Sequence, residues 1–187
     1  MNSTKVITGK NTIMSYLTVN EPKVPLGGGT PKYSVSLIIP KSDTATVQRI
    51  EAAMKAAYDE GLSKLQGNSK TVPDYETLKK PLRDGDKERK NDPHYKGCWF
   101  INANSTTKPG CVDADRQPIL DSSELYSGII GRASINFYAF NTNGNKGIAC
   151  GLNNIQKLRD GNPLGGHSRA EDDFAGLDDD DDEDFLS

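Results

Sequence analysis

The residues able to do chemistry fall into two groups that ask for different partners. The first is sparse. There are two histidines, His94 and His167, so a His-based nucleophilic triad has few candidates. His94, Cys98 and Cys111 could ligate zinc, but their spacing fits no standard ligand pair, and Trp99-Phe100 beside Cys98 favours a core thiol. No GxxxxGK[ST] loop occurs, and Gly27-Gly28-Gly29 leads into a strand rather than a helix. Acids such as Asp84, Asp86 and Asp113, with Asp115, could hold magnesium for a nuclease, although acid pairs in turns more often form the turn. This sequence calls for no metal and no cofactor.

The second group is richer: cations and rings at strand spacing. Arg132, Ser134, Asn136, Tyr138 and Phe140 alternate with the apolar Ile129, Ala133, Ile135, Phe137 and Ala139. One face therefore carries a cation, two hydrogen-bonding groups and two rings. Tyr16, Lys32, Lys96, Phe100 and Lys108 lie on or beside other strands and could extend that face. Between Lys79 and Lys96 seven bases (Lys79, Lys80, Arg83, Lys87, Arg89, Lys90, Lys96) face four acids. Cations that follow phosphates and rings on which bases stack are what single-strand binding requires. The competing expectation is core packing for each ring and a self-neutralising surface loop for the bases. On that ground Tyr138 and Tyr16 rank above Phe140 and Phe100, and Trp99, in phase with Ile101 and Ala103, is expected in the core.

The elements that must position these residues are short and mostly of two-residue period, the mark of half-buried strands. One runs from Asn11 to Asn20, with Ile13, Leu17 and Val19 on one side and Met14, Tyr16 and Thr18 on the other. A second runs from Lys32 to Ile39 and stops at Pro40; Pro25 to Gly29 between them is a loop. A third covers Trp99 to Ala103. The long strand from Gly128 to Phe140 turns at Asn141–Asn145 and returns over Gly147–Ile155, with a bulge expected at Asn153-Asn154. Val47, Ile50, Met54, Ala57, Tyr58, Leu62 and Leu65 mark a helix over 43–66, capped by Ser42 or Asp43 and stopped at Gly67. Residues 68–97 read as a long polar basic loop, which in a compact domain is functional or disordered. Five to six strands, glycines inside strands (Gly131, Gly151) and one inserted helix predict a mainly β fold, an OB-type small barrel.

Net charge supports the same division. The 187 residues sum to −3, yet ten acids and no Lys or Arg lie in 171–187, so residues 1–170 carry +7. A basic body with an acidic tail points to a polyanionic partner. We expect a domain over 1–166 and a disordered acidic tail over 167–187. In that tail Glu171-Asp172-Asp173-Phe174 and Asp182-Glu183-Asp184-Phe185 are near copies. Phe174 and Phe185 would anchor in a partner while Asp180, Asp181, Asp182 and Asp184 steer toward basic surfaces, including the body's own groove. No apolar run exceeds four residues, the N-terminus lacks the pattern of a secretory signal, and three cysteines suit a reducing compartment, so a membrane is not expected as a partner and an intracellular location is.

The order and spacing of several short motifs then resemble phage-encoded single-stranded-DNA-binding proteins with an OB fold and an acidic, Phe-containing tail. They are Ser36-Leu37-Ile38-Ile39-Pro40-Lys41, Pro81 to Lys87, Tyr126-Ser127-Gly128, Asn136 to Phe140, Asn145 to Ile148 and Gly161 to Gly166. The resemblance implies cooperative, largely sequence-independent coating of single strands during replication or recombination in the host cytoplasm. It also implies a tail that contacts replication proteins. Tails of this kind often finish on Phe, whereas Leu186 and Ser187 follow Phe185 here. RNA, weak duplex binding and self-association stay open. So do two other classes: a magnesium-dependent nuclease, which would cleave labelled strands, and a protein adaptor, which would shift none.

Overall fold

The computed structural model describes residues 3–164, so the expected tail and His167 lie outside the described residues. Eight strands form: β1 (Lys5–Ile7), β2 (Thr12–Lys23), β3 (Lys32–Pro40), β4 (Leu82–Asp84), β5 (Cys98–Ser105), β6 (Gly110–Val112), β7 (Ile130–Thr142) and β8 (Asn145–Arg159). Five of them close a ring, β2-β3-β5-β8-β7 and back to β2, in which every pair is antiparallel except β5 with β8. That is an OB-type barrel. The three short strands decorate it: β1 pairs with β7, β4 with β5, and β6 with β8.

Alternation decides which side chains fill the barrel. Val35, Leu37 and Ile39 of β3, Ile101 and Ala103 of β5, and Ile135 and Phe137 of β7 point inward and are buried, while their neighbours in sequence look outward. Strand β2 departs from simple alternation. Met14 is in the core, Val19 five residues later is too, and Leu17 packs against it, because a bulge with Tyr16 at φ 47° adds one residue and resets the phase. Met14 and Tyr16 therefore do not share a face. A bulge also falls at Asn153, where Ser134 pairs Asn154 and Ile135 pairs Leu152. Asn143 and Gly144, both at positive φ, make the two-residue turn between β7 and β8.

The helix is present but divided into α1 (Thr44–Glu60) and α2 (Leu62–Gln66) by Gly61. Asp43 caps α1 by accepting the Thr46 N–H and hydroxyl. Ile50, Ala53, Met54 and Ala57 enter the barrel core. A Cβ at Gly61 would strike Ala139 of β7, so the break is where the helix crosses the sheet most closely. In ring order the helix follows the second barrel strand, and β1 is no part of the ring.

Candidate nucleic-acid interface

The segment 68–97, expected as loop, carries β4, a one-turn helix α3 (Gly85–Glu88) and two 3-10 turns at Tyr75–Thr77 and Pro93–Tyr95. Its second half folds down onto the outer face of β3 and β5. The Tyr95 ring meets Phe100 edge-on at 5.2 Å between centroids, and its hydroxyl lies 3.2 Å from the Ser36 hydroxyl. Ile38, Tyr95 and Phe100 make a small second core outside the barrel, rimmed by Ile13, Cys98 and Leu164. Phe100 is 1% exposed, so the expectation that it offers a stacking face is corrected. It does look outward from the barrel, but Tyr95 covers it, and the Arg89 guanidinium lies 5.2 Å above its ring. Trp99, expected in the core, is half-buried beneath the Lys41 ammonium, 5.0 Å from its ring centre.

Short-range polar contacts seat this segment. Lys41, just after β3, reaches Asp84 at 2.7 Å and Asp86 at 2.8 Å. Asp84 also accepts the Asp86 N–H, and Asp86 accepts the Gly97 N–H at 2.9 Å. Gly85 sits so tightly that a Cβ would meet the carbonyl oxygens of Tyr95 and Cys98. The Pro81–Lys87 motif thus builds a clamp. The two carboxylates are tied to a lysine and to backbone N–H groups, and Asp113, whose side chain accepts the N–H groups of Asp115 and Gln117, shapes a turn. Hydrogen bonding to Lys41 holds Asp84 and Asp86 below the ordinary carboxylate range and raises Lys41 above its own.

The clamp's contribution is therefore present above the ordinary carboxylate range and is lost as pH falls through the lowered native values. Trp99 is the sole tryptophan and lies under Lys41, so its emission reports the event. We expect an acid transition in Trp99 emission that a Lys41→Met variant lacks; an unchanged transition in the variant would assign it elsewhere.

The seated segment holds Lys87, Arg89, Lys90 and Lys96 at exposed positions. Arg89, Lys90 and Lys96 line a hollow with Asp86, Asn91 and Pro93. None of these four cations forms an ion pair with a carboxylate among the described residues, whereas Arg83 on β4 is 3.4 Å from Glu88. Beside the covered half, the same barrel exterior stays open. Thr18 pairs Ser34, Ser34 pairs Asn104, Asn104 pairs Gly151, Gly151 pairs Asn136 and Asn136 pairs Lys5. Thr18, Ser34, Asn104 and Asn136 thus fall in one row with Gly151 among them and Lys5 at its end, and Asn102 is exposed next to it. Tyr138, 43% exposed, rises from β7 beside Gly151. Burial, then the nearby Cys150, pushes its hydroxyl pKa up, so the ring is neutral at physiological pH.

The remaining expected residues are spread around the surface. Tyr16, 67% exposed, stands on the β2 bulge. Lys32 lies opposite Lys23 near the tip of the β2–β3 hairpin, and Lys108 is exposed in the β5–β6 connection. Lys79 bonds Asn145, and Phe140 is half-buried against Gly147. Lys80 sits 4.4 Å over the Tyr75 ring near α1, away from the clamp. Arg132 is not beside the basic segment either: it is on β7, donating to the Thr8 carbonyl at 3.3 Å. β2 lies between Arg132 and the β3–β5 face, so the expected single cationic face is interrupted there. Sequence reasoning missed Ser34, Asn102 and Asn104, whose signal is the polar half of each alternating strand.

The family described as Enterobacter phage Enc34, ssDNA-binding protein, matches residues 4–186. The chain belongs to that family. A curated relative, protein p50 of Acyrthosiphon pisum secondary endosymbiont phage 1, is 29% identical over 162 residues, covering 83% of this chain and 84% of its own. Among solved structures, the bacteriophage Enc34 single-stranded DNA-binding protein in complex with ssDNA is similar at 24% identity and TM-score 0.68, over 87% of this chain and 90% of that one. The single-stranded DNA binding protein encoded by bacteriophage T7 shares the fold at 16% identity and TM-score 0.55, over 94% and 95%. Two of the short motifs read from sequence have structural work here. Tyr126-Ser127-Gly128 meets the β2 bulge, where the Ser127 hydroxyl accepts the Leu17 N–H and Gly128 donates to Met14. Gly161-Asn162-Pro163 passes so close to Gly128 (φ 121°) that no Cβ fits there.

Among the described residues no helix is long and apolar enough to cross a membrane.

Proposed function

We propose that this protein binds single-stranded DNA with little regard to sequence, coating and protecting it in phage replication or recombination in the host cytoplasm. Family membership and one geometric observation support the reading. That observation is the seated 85–97 segment, which sets exposed cations beside a polar row flanked at Gly151 by a tyrosine ring. Lys87, Arg89, Lys90 and Lys96 neutralise phosphates; Ser34, Asn102 and Asn104 bond sugars and base edges; Tyr138 stacks a base, with Tyr16, Lys32, Lys79 and Lys108 along the rim. Phe100 acts from below, supporting Tyr95 and Arg89. No residue is assigned covalent chemistry, and Asp84 and Asp86 serve the clamp. In the same reading the 171–187 tail competes for the cationic surface and recruits replication proteins through Phe174 and Phe185.

Filter binding of single- against double-stranded DNA at two salt concentrations tests the function. Preference for single strands with a salt-dependent constant supports it, and no retention at either salt would leave the adaptor class. Cleavage of labelled strands with magnesium would favour the nuclease. Tyr138→Ala is expected to cost ~1–3 kcal/mol of affinity for oligo-dT, the usual worth of one stacked base, with little change in Tm. A large Tm loss at unchanged affinity would make the ring structural.

A further inference from the structure

Next to the clamp, four cations converge on the turn between β1 and β2. Arg49 of α1 donates to the Ile7 carbonyl at 3.1 Å and to the Thr46 hydroxyl. Arg132 of β7 donates to the Thr8 carbonyl, and Arg159 at the end of β8 donates to the Lys10 carbonyl and, at 2.8 Å, to the Asn11 side chain. Lys10, Arg49 and Arg132 line one hollow with Asn11, Ser42 and Asp43. Three guanidiniums from three elements are thus fixed on one short turn by neutral acceptors. None of them pairs with a carboxylate among the described residues. Asp43 is the acid in the hollow, and it is occupied by capping Thr46. Carbonyls orient a guanidinium without cancelling its charge, and each keeps most of its donors unused. The hollow begins one residue from the clamp, since Pro40 and Ser42 flank Lys41, and it extends to Arg132 of β7, which β2 separates from β3.

We propose that the 7–11 turn, with Arg49, Arg132, Arg159 and Lys10, is a second phosphate-binding surface that takes a separate segment of single-stranded nucleic acid. The inference rests on the reading that a first segment binds at the β3–β5 face. A row of phosphates suits the cluster better than an acid–Phe peptide, because Ala45 and Pro40 are the apolar residues in the hollow and neither forms a slot for a ring. Arginine forks match phosphate oxygens in pairs, and Ser42 and Asn11 add neutral donors.

The test is native mass spectrometry of the full chain with oligo-dT of about eight nucleotides, within the footprint of one OB fold, at low and moderate salt. Two oligonucleotides per wild-type chain at low salt are expected, and one per Arg49→Gln/Arg159→Gln chain with the first step unchanged. The wild-type second step should weaken as salt rises, by ~0.7 in log K per log unit of salt for each phosphate contact. Arg49→Lys/Arg159→Lys should restore the second oligonucleotide, which separates lost charge from a disturbed turn. A single oligonucleotide on the wild type, or two on the Gln variant, overturns the second surface and leaves the first intact. No bound oligonucleotide at all overturns both. Binding of a Glu171–Phe174 peptide that the Gln variant loses, with no second oligonucleotide, would assign the cluster to acidic peptide instead.

Discussion

Replacing Lys87, Arg89, Lys90 and Lys96 together by glutamine is expected to lower affinity for single-stranded DNA on the order of 10³–10⁴-fold at low salt. The figure follows from counterion release. Each phosphate contact on a single strand contributes ~0.7 to the slope of log K against log salt, so four contacts flatten it by about 2.8. Extrapolated from molar salt to about 50 mM, that is nearly one decade per contact. All four side chains are exposed and none holds a carboxylate among the described residues, so Tm should stay close to wild type. Arg89 is the exception to watch, since it covers Tyr95 and Phe100; a three-residue variant that keeps Arg89 isolates the charge effect. A slope equal to wild type in both variants would remove the 85–97 segment from the binding surface.

The largest effect on stability is expected at Gly131. This residue stands at the start of β7, where the strand pairs with both β2 and β8, opposite Thr12 and Lys157 and beside an irregularity in the β7–β8 ladder. A Cβ built there would strike the Gln156 carbonyl, with the Leu158 N–H also at 3.0 Å, and both are backbone atoms that side-chain rotation cannot relieve. Overpacking costs ~1–3 kcal/mol when a side chain can yield, and backbone opposition belongs at the top of that range or above it. Gly131→Ala should therefore lose about 3 kcal/mol, roughly 6–12 °C in Tm for a chain of this size. Gly144→Ala, where nothing lies within 4 Å but φ is 86°, is the matched control and should lose less. Equal losses would mean that φ strain, not closure of the barrel, decides both.

Much of this architecture is legible in the residues. The alternation of Ile129 to Phe140, the Asn143-Gly144 turn and the bulge at Asn153 are local properties, carried by side-chain period and by glycine's freedom. The split of the helix at Gly61 was not, because it depends on Ala139 of a strand far along the chain. The fate of Phe100 was hidden for the same reason. Its own strand marks it as outward-facing, and only the return of Tyr95 over that face buries it. Residues 85–97 look like a loop because their order comes from a tertiary anchor at Lys41 rather than from periodicity. That β2 separates Arg132 from the strands under the basic segment is hidden because spacing along a chain carries no information about strand order in a closed ring.

The placement of Leu164 has a further consequence. Its side chain packs at the rim of the Ile38–Tyr95–Phe100 cluster and its N–H bonds the Ser127 carbonyl, so whatever follows it is tethered at the border of the basic segment. On the proposal that the acidic segment competes for this surface, the ten residues from Leu164 to Phe174 give a reach of at most ~33–36 Å. A ligand on so short a leash acts at millimolar local strength whatever the protein's concentration in the cell. Dilution would not relieve such self-occupancy; only a longer polyanion or a partner that seizes the acids could.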